Sequence, residues 1–374
     1  MQPDMSAKPR LCVVGTGALG SALLGQLREQ RFASVLLVDP DAVEERNLVL
    51  SPLLRRAVDH LETSASQKSG ARQNKAELLA VAAQELDGLR WRSASCEIAD
   101  AGWADLREVD LLCCCTDSVL SRVETAWIAR ALGKPMLDGA VVGQEIAGGR
   151  VTIFPPAEAA ACFLCGLAES RRAAVLGYAA STSLGCQAPE SVPAMAAALA
   201  TLNAVAAEML RQILDWQQLA SEVSLASKVS HSTRLALGAD DAWQTESFEL
   251  SRSATCPWHD APSAMLEELA WEEPLATVLR DGARELVLNW PVCTEAVCEA
   301  CGVRTRPMQR VAQVRRSPCA ACGCFQQQPL RAIFRVRHGD PYSGCSPRQL
   351  GMPARHLYWM RDTDQELSPQ EVAV

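Results

Sequence analysis

A glycine-rich turn between an apolar run and an amphipathic segment is the feature that most constrains the fold of this chain. Residues 11–14 form a short apolar run, and residues 21–30 carry apolar side chains at helical spacing. Between them, Gly15, Gly17 and Gly20 form the pattern G-x-G-x-x-G. The first glycine of this pattern permits a tight turn, the second lets backbone N–H groups approach a phosphate, and the third lets the helix pack on the strand. The pattern therefore predicts a strand, a turn and a helix whose N-terminus faces an anion.

Further apolar runs along the chain predict the class of the fold. Residues 34–38 form a second run that ends at Asp39, and residues 110–116, 134–140 and 148–154 are expected as later strands. Runs that lack alternation are typical of strands buried on both faces of a parallel sheet. The sequence therefore predicts an α/β fold with a Rossmann-like, doubly wound, mostly parallel sheet. The same glycine pattern occurs in NAD- and FAD-dependent oxidoreductases, so on its own it leaves the nucleotide open.

The acidic segment after the second strand points to one nucleotide. Residues 39–48 are D-P-D-A-V-E-E-R-N-L. With this segment the chain resembles the ThiF/MoeB/HesA family of adenylyltransferases, which are related to ubiquitin-activating enzymes. The resemblance implies that the segment and the glycine turn hold the ribose and phosphates of ATP. The residues that it implies for nucleotide binding are Gly15, Gly17, Ala18, Gly20, Asp39, Asp41, Asn47, Lys75 and Asp117.

Two later motifs extend this resemblance. Lys75 opens a predicted helix and matches the family's lysine near the β- and γ-phosphates, with Lys68 as the reserve candidate. Residues 116–118, T-D-S, are followed by Arg122 and are similar to the family pattern T-D-N-x-x-x-R, whose aspartate binds Mg²⁺. Such a carboxylate at the end of a strand supplies the hard oxygen ligand that Mg²⁺ prefers. The resemblance therefore implies catalytic roles for Lys75, Asp117 with Mg²⁺, and Arg122.

A cysteine ahead of a long predicted helix is the candidate nucleophile. Cys186 lies in a polar segment before an alanine-rich helix that is entered through Pro193. Many sulfur-carrier-activating relatives have their nucleophilic cysteine at this loop, so the resemblance implies that Cys186 takes the acyl group as a thioester. A helix N-terminus lowers the pKa of a nearby thiol and increases its thiolate fraction. A merely structural cysteine is the alternative.

Two cysteine-rich clusters predict two zinc sites. Cys162 and Cys165 stand where the resembling family has the first half of its zinc site, and Cys256 with His259 stands where the second half is expected, with a histidine in place of a cysteine. Three thiolates and one imidazole suit a tetrahedral structural zinc, although an unliganded turn at residues 256–259 is an alternative. The second predicted site is a zinc ribbon formed by two C-x-x-C pairs. Its ligands are Cys298, Cys301, Cys319 and Cys322.

Composition and charge limit the cellular context and the partners. Sixteen cysteines without an apolar leader, several of them in C-x-x-C pairs, predict a reducing cytoplasm and bound metal rather than disulfides. A net charge of −8 argues against a membrane-surface or nucleic-acid-binding protein, and no uninterrupted apolar stretch predicts a membrane span. Against this acidic whole, residues 302–338 contain eight arginines and no acid. Three interpretations of that bias are open. The arginines could bind an acidic protein partner, contact nucleic acid, or form a solvated charged face.

Two departures from the family pattern concern the phosphates and the dimer. Leu50 stands where the family has an arginine that contacts the triphosphate, and Arg55 and Arg56 are either nearby substitutes for it or simply two exposed arginines. Only ten residues precede Leu11, where relatives have a helical segment with an arginine that reaches the partner's ATP. This omission weakens the expectation of a homodimer.

These features predict an adenylation domain over residues 1–262, a linker over 263–284 and a zinc-ribbon and C-terminal strand domain over 285–374. The implied function is ATP-dependent adenylation of the C-terminal carboxylate of a ubiquitin-like or sulfur-carrier protein that ends in glycine, followed by thioester transfer to Cys186. A downstream acceptor or conjugating protein would receive the group. A catalytically weakened scaffold and a dinucleotide-dependent oxidoreductase are the alternatives, and the second would predict neither the T-D-S-x-x-x-R segment nor the first zinc site.

Overall fold

The structure is a computed structural model of the chain. It describes residues 8–28, 32–63, 73–141, 148–176, 192–221, 229–238, 242–259, 265–280 and 284–362. These residues fall into two compact units. The first unit holds the described parts of Met1–Ala99, Leu106–Arg172 and Ser181–His259, and the second holds those of Asp100–Asp105, Ala173–Ala180 and Asp260–Val374.

The first unit is built on an eight-stranded sheet with the order β3-β2-β1-β4-β5-β6-β7-β8. Strands β1 to β5 are parallel to one another, and β6 to β8 continue the sheet antiparallel. The strands are β1 Arg10–Val14, β2 Ser34–Val38, β3 Trp91–Ala94, β4 Leu111–Cys114, β5 Met136–Val141, β6 Gly148–Phe154, β7 Ser230–Leu237 and β8 Trp243–Leu250. The prediction of an α/β fold with a mostly parallel sheet is confirmed.

Helices cover this sheet and explain the unbroken apolar strands. The helices of the described chain are α1 Ala18–Leu27, α2 Glu45–Val49, α3 Pro52–Thr63, α4 Lys75–Asp87, α5 Trp103–Arg107, α6 Val119–Ala131, α7 Glu169–Leu176, α8 Val192–Ser221 and α9 Val311–Arg316. One continuous core joins α1, α3, α4 and α8 to the central strands. All four residues of β4 are fully buried, as expected of a strand covered on both faces. Burial raises the pKa of Cys113 and Cys114, so these thiols are uncharged core residues.

The second unit contains an antiparallel sheet around one long strand. Its order is β11-β10-β14-β9, and β12 and β13 also pair with β10. The strands are β9 Met265–Glu268, β10 Arg284–Cys298, β11 Arg304–Thr305, β12 Gln309–Arg310, β13 Gln327–Arg337 and β14 Leu357–Asp362. The segment expected as a linker, 263–284, contributes β9, which pairs with β14, and the buried side chains Leu275 and Leu279. Strand β9 consists of two adjacent apolar residues and two acids, without the alternation that predicts a strand from the sequence.

Among the helices of the described residues, none combines the length and the apolar character that a membrane span requires.

Candidate functional site

The carboxyl ends of three neighbouring strands meet at one edge of the first sheet. Val14 at the end of β1 is paired with Val38 of β2 on one side and with Cys114 of β4 on the other. The chain crosses from β1 to β2 in one direction, and β4 lies on the opposite side of β1. Open α/β sheets bind ligands at such a reversal of strand order, outside the carboxyl ends of the strands. The glycine turn follows β1, Asp39 follows β2 and the T-D-S segment follows β4. The three predicted elements therefore lie at the ends of adjacent strands.

Three glycines build the turn after β1, and each has a different steric environment. Gly15 has a positive φ of 85°, and a Cβ there would lie 2.9 Å from the backbone nitrogen of Thr116. A Cβ on Gly20 would lie 2.0 Å from the carbonyl oxygen of Gly15, so the helix packs directly on the turn. A Cβ on Gly17 would meet nothing within 4 Å. The first and third glycines are thus required by packing, whereas the open side of Gly17 leaves room for a ligand.

Alanine substitutions should separate these roles. We expect Gly20→Ala to lower the free energy of unfolding by about 1–3 kcal/mol or more, because the added methyl group overpacks the turn. Gly17→Ala should cost less than about 1 kcal/mol, because Gly17 is the helix N-cap and its Cβ would meet open space. Urea unfolding of the two variants measures the difference. Equal losses would contradict this steric distinction.

Asp39 fastens the glycine turn to the end of β2. One carboxylate oxygen accepts hydrogen bonds from the backbone N–H of Thr16 at 2.6 Å and from its hydroxyl at 3.0 Å. The other oxygen accepts a hydrogen bond from the backbone N–H of Asp41 at 2.9 Å. Burial raises the pKa of Asp39, and these hydrogen bonds oppose the shift. Asp39 therefore holds the backbone of the glycine turn through its hydrogen bonds with Thr16. The sequence analysis did not single out Thr16.

Lys75 is buried and paired with an exposed carboxylate. Its ammonium group lies 3.0 Å from a carboxylate oxygen of Asp41, and the two side chains are 8% and 67% exposed. Asn74 caps α4 by accepting a hydrogen bond from Ala76 N–H, and its amide donates to the carbonyl oxygens of Asp39 and Asp41 at 2.8 and 3.1 Å. Asn74 thus holds Lys75 next to the acidic segment. Asparagine directly before a predicted helix is an N-cap signal that would have identified it.

The rest of the acidic segment is a short capped helix. The side-chain oxygen of Asn47 accepts a hydrogen bond from the backbone N–H of Glu44 at 3.0 Å, which caps α2. Leu50, which replaces the expected arginine, is half-buried and packs against the hydrophobic core of the first unit. Arg55 and Arg56 are exposed on α3. At position 50 the chain therefore has an apolar side chain that packs against the core, where the family pattern has an arginine.

The segment after β4 combines one exposed acid with a buried ion pair. Asp117 is exposed, and within the described part of the chain its carboxylate accepts no hydrogen bond. Arg122 is bonded to the buried carboxylate of Asp138, to the carbonyl oxygen of Gly139 at 2.9 Å and to that of Thr116. Burial raises the pKa of Asp138, and the Arg122 guanidinium opposes that shift. In this structure Arg122 joins β4 to β5, and Asp138 is a partner that the sequence analysis missed.

The first cysteine cluster has the geometry of a tetrahedral site. The sulfur of Cys162 lies 3.7 Å from that of Cys165 and 3.4 Å from that of Cys256, and Cys165 sulfur lies 3.1 Å from Nε2 of His259. A zinc ion with Zn–S bonds of about 2.3 Å needs sulfur atoms about 3.8 Å apart. Nδ1 of His259 lies 3.1 Å from the carbonyl oxygen of Glu158. A proton on Nδ1 would donate to that oxygen and leave Nε2 free to bind a metal.

The second cluster consists of two similar loops in the second unit. Its sulfur atoms lie 3.6 Å apart for Cys298 and Cys322 and 3.8 Å apart for Cys301 and Cys319, and all four lie within 4.8 Å of one another. The backbone N–H of Gly302 donates to the Cys298 carbonyl at 2.7 Å, and that of Gly323 donates to the Cys319 carbonyl at 2.8 Å. Each pair is thus followed by the same glycine turn, a repeat visible in the sequence as C-x-x-C-G that the spacing argument did not use.

Two predicted residues lie outside the described residues. Cys186, the candidate nucleophile, falls in 177–191, and Lys68, the reserve candidate for Lys75, falls in 64–72.

Comparisons with known proteins assign a family to the first part of the chain. The sequence model of the ThiF family matches residues 4–237. No curated protein matches the chain in sequence. Among solved structures, the chain is similar to Escherichia coli MccB with ATP, at 15% identity and a TM-score of 0.43, covering 66% of this chain and 65% of that chain. It is also similar to the microcin C7 biosynthetic enzyme MccB in complex with N-formylated MccA, at 14% identity and a TM-score of 0.43, covering 66% of each chain. The chain thus spans slightly less than two thirds of these MccB chains.

Proposed function

The chain belongs to the ThiF family, and from this premise we propose that its first unit uses Mg²⁺ and ATP to adenylate the terminal carboxylate of a peptide or carrier protein. We place the adenylation domain at residues 1–262 and a zinc-bearing domain at 285–374. The more specific partner that we propose is a ubiquitin-like or sulfur-carrier protein ending in glycine. A further acceptor protein would take the activated group.

The proposal depends most on one observation, which is the pairing of buried Lys75 with exposed Asp41 beside the glycine turn. The side chain of Lys75 is 8% exposed, and its ammonium group lies 3.0 Å from a carboxylate oxygen of Asp41. A bound polyphosphate would offer the same ammonium group a second set of oxygen partners. The backbone at Gly17 and the first turn of α1, including Ala18, supply N–H groups to an anion. Backbone donors, a cation and exposed carboxylates at one sheet edge suit a nucleotide that carries Mg²⁺.

The reaction requires no side-chain base. An oxygen of the partner's carboxylate, already ionised at neutral pH, attacks the α-phosphorus of ATP. The bond between the α-phosphorus and the oxygen that bridges to the β-phosphate breaks, and pyrophosphate leaves. The chain therefore contributes positioning and charge neutralisation, for which we propose the backbone of the glycine turn and Lys75.

Asp117 fits the magnesium ion that this reaction needs. Its carboxylate is exposed, follows the central strand β4 and is not engaged by a described neighbour, so it is a free hard oxygen ligand. When bound, Mg²⁺ neutralises charge on the phosphate oxygens. Arg122 holds the backbone of Thr116 just before this ligand, and we propose that it positions Asp117 in this way.

We propose structural zinc ions at both cysteine clusters. The fit rests on the four donors of each cluster, which lie within 4.8 Å of one another, and on sulfur separations close to those of a tetrahedral site. Each ion would hold together chain segments that are far apart in sequence.

Pyrophosphate exchange tests the proposed function. The protein is incubated with ATP, Mg²⁺ and labelled pyrophosphate, together with a panel of glycine-terminated carrier proteins and peptides. We expect label to enter ATP only with a free C-terminal carboxylate, because the reversal of adenylation rebuilds ATP from pyrophosphate. The same substrates with an amidated C-terminus are the control. Exchange that is equal with amidated substrates would exclude adenylation of the carboxylate.

We further propose that Cys186 receives the acyl group. Its thiolate would attack the carbonyl carbon of the acyl-adenylate, forming a thioester as the bond to AMP breaks. We expect a conjugate with a carrier that is stable without reducing agent and lost with added thiol. Cys186→Ala should remove the conjugate and keep pyrophosphate exchange, because adenylation precedes capture.

Gel electrophoresis under non-reducing conditions measures this conjugate, and Cys345→Ala is a control at another cysteine. A conjugate that persists in Cys186→Ala would assign the nucleophile elsewhere. Exchange without any conjugate in the unaltered protein would mean that the reaction ends at the adenylate.

A scaffold without catalysis is the second candidate, and Leu50 favours it. Its side chain packs against the core where the family pattern has an arginine at the triphosphate. If the protein is a scaffold, it should bind ATP but not exchange pyrophosphate into it. If it is an oxidoreductase, it should reduce NAD⁺ and likewise show no pyrophosphate exchange.

A further inference from the structure

The long strand β13 of the second unit pairs with β10 on one side and, among the described residues, with no strand on its other side. Its eleven residues, Gln327–Arg337, pair with β10, and within the described residues no other strand pairs with β13. The other edge of β10 is lined by β14, β12 and β11 in turn. An edge strand presents alternate backbone N–H and C=O groups that another strand can pair with. Pro329 has no N–H, so the part of this edge that is free of proline is residues 330–337, and an edge of that length can receive an added strand.

Large apolar side chains are exposed along this strand. Leu330 and Phe334 are 45% and 43% exposed, and Phe325, just before the strand, is 67% exposed. Leu330 and Phe334 are spaced along the strand at about 3.3 Å per residue, so each can contact a different residue of an added strand. Pairing of backbone groups would give an added strand its affinity, and contacts with these side chains would select its apolar residues.

Arginines of β13 and of the nearby strands β11 and β14 share two carboxylates of β10. Glu295 is shared by Arg304 and Arg331, with N–O distances of 3.0 and 3.5 Å. Glu285 is shared by Arg335, Arg337 and Arg361. Strand β13 itself carries three arginines, Arg331, Arg335 and Arg337, and no acidic residue, and the side chain of Arg331 is 79% exposed. This excess of positive charge, in a chain of net charge −8, is complementary to an acidic partner.

We propose that this region, the β13 surface formed by Phe325, Leu330, Arg331, Phe334 and Arg335, docks an acidic, extended segment of a partner protein as an additional strand on β13. The free backbone edge favours a protein over a nucleic acid, because only a polypeptide can continue the hydrogen-bonding ladder of the sheet. The apolar side chains favour a segment in which acidic and apolar residues alternate, so that successive side chains reach opposite faces of the sheet. The proposal does not depend on the adenylation reaction.

Binding of a designed peptide to the full chain tests this surface. The probe is a fluorescent peptide of about twelve residues that alternates glutamate with valine, long enough to follow an eleven-residue strand. We expect saturable binding that weakens as salt increases, with slower hydrogen exchange of the β13 amides in the complex. The same peptide with alternate backbone amides methylated should bind about tenfold or more weakly, because methylation removes the donors of the ladder.

Two double variants and one matched control assign the binding to this surface. Leu330→Ser with Phe334→Ser removes the apolar contacts, and Arg331→Gln with Arg335→Gln removes charge; each should weaken binding about tenfold. Phe248→Ser is the control, since Phe248 lies on the edge strand β8 of the first sheet with 42% exposure and should leave binding unchanged. Unfolding midpoints of all variants verify that they are folded.

Four results would overturn the proposal. These are no binding of the acidic peptide, equal binding of the methylated peptide, unchanged binding by both double variants, and tighter binding of a single-stranded oligonucleotide than of the peptide. The last result would assign the surface to nucleic acid.

Discussion

Asp117→Ala should reduce the exchange of pyrophosphate into ATP by about a hundredfold to a thousandfold, with the fold intact. The loss follows from the position of Asp117 at the end of β4, beside the glycine turn, where its carboxylate is the proposed ligand of Mg²⁺. Without that ligand, the charge that develops on the phosphates is less well neutralised. Exchange is measured with a carrier protein that supports it in the unaltered chain.

The exposure of Asp117 makes this test selective for function. Because Asp117 is exposed and its carboxylate makes no hydrogen bond among the described residues, its removal should change the unfolding free energy by less than about 0.5 kcal/mol. Asp117→Asn keeps the size of the side chain and should lose exchange to a similar extent. Glu246→Ala, at an exposed acid on β8, is the control for a change of net charge. Exchange that survives in Asp117→Ala within a few fold would remove Asp117 from the site.

The second large effect is expected from the zinc ligands. We expect two zinc ions per chain, and Cys256→Ser and Cys322→Ser should each lose one of them. A structural zinc site contributes on the order of 10 kcal/mol of apparent binding free energy, so losing one thiolate should lower stability by several kcal/mol. Elemental analysis gives the metal content, and urea unfolding gives the stability.

Cys324→Ser is the matched control for the second site. Cys324 is exposed and lies two residues from Cys322, but it is outside the group of four ligand atoms. The Cys324→Ser variant should keep both zinc ions and the full stability of the unaltered protein. One zinc or none in the unaltered protein would refute the proposed count, and a stable Cys322→Ser variant with two ions would refute the ligand assignment.

Local patterns predicted the parts of the site that depend on spacing. The three glycines, the buried strand β4 and the two groups of four potential metal ligands follow from motifs, because the geometry of a turn or a tetrahedral site fixes which residues must be close. The order of the parallel strands then brings Asp39 and Asp117 to one edge.

Contacts between distant segments were not predictable in this way. Thr16 binds Asp39 and Arg122 binds Asp138 only after the strands have paired, so neither contact has a motif. The burial of Lys75 likewise depends on Asn74, whose amide reaches back to the acidic segment. Strand β9 was not predicted, because its conformation depends on its pairing with β14 more than on its own sequence.

Identifying which bond of ATP the protein breaks is the most direct test of the proposed adenylation. ATP labelled at the α-phosphate and, separately, at the γ-phosphate is incubated with the protein, Mg²⁺ and a glycine-terminated carrier protein that supports exchange. Products are separated by chromatography. We expect the α-label in AMP or the acyl-adenylate and the γ-label in pyrophosphate, both dependent on the carrier's free carboxylate. The appearance of ADP and inorganic phosphate instead would contradict adenylation.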